Sequence, residues 1–265
     1  SYLRGENILK FPKRLYPSIY QNKKGFPRVL KEDEFPFLDM KQLPIQDSEK
    51  IKHLKIIECP MRDHQLTYYN NMEENDNYGS FLSNGLMLSN IVFPQQSPSE
   101  DLESLSTVIG NTGFKNTFTK IKKSGSINFR IKNKDHMEMF KLENLKKYSS
   151  KIASIIENIK TSEGVIFIYS KYIYSGIVPL ALALEYNGYQ NYKKQLLDMD
   201  KNDPVLNKDD RGTKHEAKYI IISGTQELGR NAYDDYLKAE NQNKNGEKII
   251  IILGTETAAE GLDFM

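Results

Sequence analysis

The stretch Ile249-Ile-Ile-Ile-Leu253-Gly254-Thr255-Glu-Thr-Ala-Ala-Glu-Gly261-Leu-Asp263-Phe264 decides the fold. It is an unbroken apolar run, a Gly-Thr turn, and then small residues suited to opening a helix. A strand apolar at every position is covered on both faces, as parallel strands are. Two further runs have the same character, Gly164-Val-Ile-Phe-Ile-Tyr-Ser170 and Lys218-Tyr-Ile-Ile-Ile-Ser-Gly224. Helical signals alternate with them. Leu142, Leu145, Tyr148, Ile152, Ile155, Ile156 and Ile159 follow helical spacing and predict one amphipathic helix. Ser175 is placed to cap a helix running to Tyr186, with Pro179 in its first turn and Gly188 past its end. Asp234 to Gln242 reads as a third helix, closed by the polar turn Asn243-Lys-Asn-Gly246. The alternation predicts an α/β core over 142–265, a parallel sheet with helices on both faces. Right-handed crossovers then gather Ser170-Lys171, Ser223-Gly224 and Gly254-Thr255 on the carboxyl edge of the sheet, where such folds place ligands and where a phosphate can approach small residues closely.

The first half is less regular. Residues 1–53 carry four aromatic-proline pairs, Phe11-Pro12, Tyr16-Pro17, Phe26-Pro27 and Phe35-Pro36, which oppose helix and predict an extended arm with short strands. Leu54 to Cys59 reads as a short strand opening a unit over 54–265, and Arg62 to Asn71 as a helix with Leu66 and Tyr69 on one side. Residues 70–113 are expected to be irregular with one short helix, inside an insertion or lead-in spanning 70–135. Ile127 to Ile131 alternates like a half-buried strand.

A hydrophobic content of 38% and a mean hydropathy of −0.60 predict a soluble chain with a modest core, and no apolar run approaches the roughly 18 residues of a membrane span, so no membrane partner is expected. The opening Ser1-Tyr-Leu-Arg has no signal-peptide pattern and no starting Met, which suggests an excised piece. Net charge is +2, unevenly spread. Residues 1–31 hold eight Lys/Arg against one acid, and residues 115–134 hold seven against none. Local basic stretches on a near-neutral chain suggest polyanion contact at defined places.

Other chemistry is disfavoured. His53, His64, His136 and His215 are scattered and Cys59 stands alone, so no metal site is expected and no intrachain disulfide can form. Cys59 reads as a buried small hydrophobe. No G-x-S-x-G turn offers a nucleophile. Phe167 and Tyr219, inside apolar runs, are expected in the core; Phe114 and Phe118, beside the second basic stretch, are the candidates for stacking on bases.

The pattern Thr255-x-x-Ala258-x-x-Gly261-x-Asp263 resembles motif V of superfamily 2 helicases and nucleic-acid translocases. Gly164–Ser170 followed by Ser175-Gly-Ile resembles motif IV, Tyr219–Gly224 the next strand, Asn243–Lys248 the approach to motif V, Leu88–Pro94 a lead-in helix, and Tyr2–Asn7 a segment between lobes. Together these are similar to the second, C-terminal RecA-like lobe of helicases of large cytoplasmic DNA viruses, related to Swi/Snf-type translocases. The likeness covers about two thirds of the chain, strongest over 145–265, and stops at Met265 where the next motif is due, so the lobe is expected to be incomplete at its C-terminus.

The resemblance implies roles. Thr255 would contact a nucleic-acid phosphate, with Gly254, Ser170, Lys171 and Gly224 along the same strand; Gly261 and Asp263 would face the nucleotide, Asp263 near the ribose. Glu260 stands where RNA helicases most often carry a basic residue, so contacts made by that residue do not transfer. Implied cofactors are ATP and Mg²⁺, held mainly by a missing N-terminal RecA-like lobe. Implied partners are DNA or RNA and viral transcription machinery, and the implied location is cytoplasmic, in a viral factory or virion. The chain has no G-x-x-x-x-G-K-[ST] and no apolar strand ending in Asp-Glu, so no catalytic residue is assigned and the 265 residues alone are expected not to hydrolyse ATP. Two other readings stay open. One is a catalytically inactive lobe serving as a nucleic-acid-binding scaffold. The other is an unrelated nucleotide-sugar or dinucleotide enzyme, which would need a Gly-rich loop after its first strand.

Overall fold

The computed structural model describes residues 20–21, 27–28, 57–75, 78–95, 104–123, 126–198, 218–224, 228, 235–236, 243 and 246–259. The chain forms two compact units, Ser1–Glu58 and Cys59–Met265. In the first, β1 (Tyr20–Gln21) pairs antiparallel with β2 (Pro27–Arg28).

The second unit opens with helices. α1 (Asp63–Asn75) appears where a helix is expected, but it buries Gln65, Tyr68 and Met72 and leaves Leu66 exposed. Polar wiring decides this. The Gln65 amide donates to the Leu88 carbonyl at 2.8 Å and accepts from the Ser150 backbone at 3.2 Å, satisfying a buried side chain. Residues 57–59 form no strand, and Cys59 is half-buried. The region 70–113 is more helical than expected, with α2 (Tyr78–Asn90), α3 (Leu105–Val108) and the start of α4 (Gly110–Thr117). Ile91, Val92 and Phe93 leave α2 as a buried connection.

β3 (Phe118–Lys123) and β4 (Ser126–Ile131) form an antiparallel hairpin, of which only the second strand is expected from sequence. A short 3-10 segment, Lys134–Phe140, leads to α5 (Leu142–Tyr148) and α6 (Ser150–Thr161). The single helix expected here is broken at Ser149. Its backbone turns extended (φ −156°, ψ 94°) and its hydroxyl accepts from the Ile152 N–H at 3.0 Å, an N-cap worth ~1 kcal/mol.

The α/β core follows: β5 (Ile166–Tyr169), a π-helical turn (Ile173–Ile177), α7 (Val178–Tyr186), β6 (Gln190–Asn191), β7 (Lys218–Ile222), β8 (Ile249–Gly254) and α8 (Glu256–Ala259). Ser175 is not a cap. It lies inside the π-turn at φ −113°, and its buried hydroxyl has no hydrogen-bond partner among the described residues. Of the helix expected over 234–242, residues 235–236 are helical and the rest lies outside the described residues. Buried Asn243 accepts from the Lys248 and Ile249 backbones and donates to the Ile249 carbonyl, which fixes where β8 starts.

All four core strands are parallel, in the spatial order β5-β8-β7-β6. The sheet with its flanking helices is α/β, as expected. One face carries the main core, with Tyr219, Ile221, Ile251 and Leu253 packed among α6, α7 and the β3–β4 hairpin. Ile220, Ile222, Ile249 and Ile252 turn to the other face with Tyr236 and Ala258. β7 and β8 are thus buried on both sides. β5 is not, since Val165, Phe167 and Tyr169 alternate outward and stay 36–47% exposed.

Candidate functional site

The register Tyr169↔Gly254↔Ile222 ends β5, β8 and β7 level with one another. Two hydrogen bonds tie the residues just beyond. The Ser170 N–H donates to the Gly254 carbonyl at 3.0 Å, and the Thr255 N–H to the Ile222 carbonyl at 3.1 Å. In chain order the connection leaving β5 crosses to the far edge strand, while those into β7 and β8 step back toward it. The direction of the connections thus reverses at β5 and β8, and the carboxyl ends of strands at such a reversal are where open α/β sheets bind ligands. Ser170, Lys171, Gly254 and Thr255 stand at those ends, and Gly224 follows β7 one strand away.

Each residue there has a local cause. The Ser170 hydroxyl accepts from the Tyr172 N–H at 3.2 Å and reaches the Tyr172 carbonyl at 3.3 Å, closing a tight turn after β5. Gly176 makes room for it, since a Cβ there would lie 2.2 Å from the Ser170 Oγ. Gly176→Ala is therefore expected to open the Ser170 turn and cost about 1–3 kcal/mol, read as a lowered melting temperature that Ser170→Ala in the same chain partly restores. Gly254 is needed for a second reason. A Cβ would meet the Phe167 ring at 2.7 Å and the Ala258 Cβ at 2.9 Å. Lys171 and Gly224 are exposed. Thr255 is 5% exposed, and its hydroxyl lies 3.5 Å from the same Ile222 carbonyl that takes its N–H. Both groups suited to a phosphate are therefore directed inward here. Gly261 and Asp263 lie outside the described residues.

The aromatic expectations reverse. Phe114 and Phe118 are 2% and 3% exposed and stack on each other at 4.7 Å, so they are core and not base platforms. Phe167, expected in the core, is half-exposed beside Gly254, while Tyr219 is buried as expected. Burial of the hairpin root was not readable from a basic stretch.

One buried acid was missed. Glu185, in a helix whose nine residues are all buried, accepts from the Leu196 N–H at 2.8 Å, the Leu197 N–H at 2.6 Å and the Tyr219 hydroxyl at 2.7 Å. Burial pushes its carboxyl up to about 7, against the lowering effect of these three donors. The same charge and burial drive the Tyr219 phenol well above its usual range, burial being the larger cause. A lone acid in the apolar run Val178-Pro-Leu-Ala-Leu-Ala-Leu-Glu-Tyr186 was the available signal.

Among the described residues no group of three or more His, Cys, Asp or Glu side chains converges on a point. No helix among them is long and apolar enough to cross a membrane.

No family model and no solved structure matches the chain. Several viral proteins do. A protein of Acanthamoeba polyphaga mimivirus, whose name proposes an ATP-dependent RNA helicase, is 25% identical over 256 residues, 94% of this chain and 34% of its own length. The termination factor NPH-I homolog of African swine fever virus is 31% identical over 133 residues, 43% of this chain and 19% of its own. A protein of Invertebrate iridescent virus 3, whose name proposes a helicase, is 36% identical over 128 residues, 46% of this chain and 11% of its own. The chain thus spans about a third or less of these relatives, and is related at low identity to viral proteins with helicase and termination-factor names.

Proposed function

We propose that this chain forms the second RecA-like lobe of an ATP-dependent helicase or translocase that moves on DNA or RNA in viral transcription or DNA processing. One observation carries the reading. In a chain whose relatives bear helicase names, Ser170, Gly254 and Thr255 stand side by side at the carboxyl ends of neighbouring parallel strands. Along that edge Gly254 lets a nucleic-acid backbone approach, Lys171 supplies charge, and Ser170, Gly224 and Thr255 follow successive phosphates. Thr255 would trade the Ile222 carbonyl for a phosphate oxygen by turning its side chain. Gly261 and Asp263 would face the nucleotide across a cleft closed by an N-terminal lobe, which would hold the Mg²⁺. ATP hydrolysis supplies the free energy for opening and closing that cleft. The protein would act in a cytoplasmic viral factory or virion.

The test is the ATPase rate of the full-length protein with single- and double-stranded DNA and RNA. Nucleic acid is expected to stimulate turnover, Asp263→Ala to abolish it, and Thr255→Ala to weaken the stimulation by roughly tenfold to a hundredfold, as loss of about one charge-assisted hydrogen bond does. One rival is a scaffold lobe that binds nucleic acid without turnover. Binding with no stimulated turnover in the full-length protein decides for that rival.

A further inference from the structure

We propose that the π-helical turn Ile173–Ile177 is a two-state hinge that links the Ser170 turn at the end of β5 to the start of α7. The Ile177 N–H donates to the Tyr172 carbonyl at 3.0 Å and the Val178 N–H to the Ile173 carbonyl, each five residues apart where an α-helix spans four. Such a turn is an α-helix holding one extra residue, a feature frequent at functional sites. Ser175 is that residue. Its backbone (φ −113°, ψ 17°) leaves the helical values that Ile177 and Val178 keep. Its hydroxyl is buried with no partner among the described residues, an unfavourable arrangement that a second state can relieve.

That second state is a plain α-helical turn. With Ser175 helical, each N–H moves to the carbonyl one residue further on. The Tyr172 carbonyl then passes from Ile177 to Gly176, and the Ser175 hydroxyl reaches the Lys171 carbonyl four residues back. Losing the extra residue rotates the preceding chain by about 100° and shifts it by about 1.5 Å. α7 does not take up this movement, because Val178–Tyr186 is buried at every position. Lys171 is exposed and residues 172–174 are half-buried, so the movement falls there.

Two contacts carry it to the strand edge. The Ser170 Oγ holds the Tyr172 N–H and reaches, at 3.3 Å, the Tyr172 carbonyl that also takes the Ile177 N–H. Gly176 packs against the same Oγ so closely that a Cβ has no room. The Ser170 turn and the π-turn therefore hold together and release together. An acceptor that draws the Ser170 hydroxyl away from Tyr172 biases the hinge to its α-helical state. The hinge depends on the fold alone and stands apart from the nucleic-acid reading above.

The test is backbone amide exchange of the full-length protein without nucleic acid, read at Tyr172, Ile177 and Val178 and compared with α6. Ser175→Ala deletes the hydroxyl that only the second state satisfies. It is expected to slow exchange at the three amides roughly tenfold and to raise the melting temperature. Ser170→Ala frees the Tyr172 peptide and is expected to quicken exchange at all three roughly tenfold, with α6 changed less. A lowered melting temperature for Ser175→Ala overturns the proposal, because the hydroxyl then has a partner to lose. So does a Ser170→Ala effect confined to Tyr172, which severs the link, or one equal in α6, which is general destabilisation. If Ser170→Ala does not fold, Ser175→Ala decides alone, and unchanged or faster exchange at the three amides sinks the hinge. Failure here leaves the proposed function standing, and absence of stimulated turnover leaves the hinge standing.

Discussion

A Glu185→Gln variant is expected to lose a pH dependence of stability that the natural chain shows between about 4.5 and about 7. The sign follows from where the proton resides. Below about 4.5 the carboxyl is protonated whether the chain is folded or not, and its contribution is complete. Between the two values the unfolded chain releases the proton while the buried group keeps it, so stability falls as pH rises. Above about 7 both forms are ionised and the slope ends. The gap corresponds to roughly 3 kcal/mol, or about 6–12 °C in melting temperature for a unit of this size. Glutamine keeps an acceptor for the Leu196 and Leu197 N–H groups without a charge to desolvate. The readout is the difference between the two melting temperatures as a function of pH, because groups elsewhere titrate alike in both proteins. A difference that stays constant from pH 5 to 8 refutes the expectation. Glu185→Ala tests the same network from the other side. It removes the acceptor of two buried N–H groups and of the Tyr219 O–H, at about 1–3 kcal/mol each, and it is expected to be the more damaging change at every pH.

Gly113→Ala is expected to destabilise the chain by about 3 kcal/mol or more. The reason is backbone, not side chain. An added Cβ would lie 2.4 Å from the Val108 carbonyl carbon, 2.7 Å from its oxygen and 2.9 Å from the Phe93 ring. The peptide cannot retreat, because the Val108 carbonyl receives the Phe93 N–H at 2.7 Å and Val108 and Phe93 are both fully buried. Gly164→Ala is the comparison. It has nothing within 4 Å and only a left-handed φ of +73°, so it is expected to cost about 1 kcal/mol. Melting temperatures of the two variants side by side check the ranking; a Gly113→Ala chain as stable as Gly164→Ala contradicts it.

β7 and β8 were legible because burial on two faces leaves unbroken apolar runs, and Ile249–Leu253 could be little else; β5 carries the same kind of run although its outer face is exposed. The turn residues that end them, Ser170, Gly224 and Gly254, fall where expected for the same reason. β3 was illegible because the positions that share a face with Phe118 are lysines, Lys120 and Lys122, so no apolar alternation shows, and β6 is too short to carry a pattern. The face of α1 was misjudged because a glutamine with two backbone partners outbid a leucine for the interior. Phe114, Phe118 and Phe167 were misassigned because sequence gives hydrophobicity, while position at the root of a hairpin or the rim of a sheet decides exposure. The orientation of Thr255 depends on which carbonyl lies beside it after the strands have aligned, and no local pattern carries that.

The strand order also bears on how the chain reaches this state. Of the four strands of this sheet β5 is made first, yet its neighbour among the described residues is β8, so Ile166 must wait for Ile251. During synthesis the helices α5 to α7 can form and collapse locally, but among the described strands β5 has no partner until β8 leaves the ribosome. Contacts this distant along the chain close slowly. In that interval β5, with Phe167 and Tyr169 on its outer side, offers an unpaired apolar edge to other chains. Expression temperature and chaperone supply, more than equilibrium stability, are therefore expected to set the yield of soluble protein.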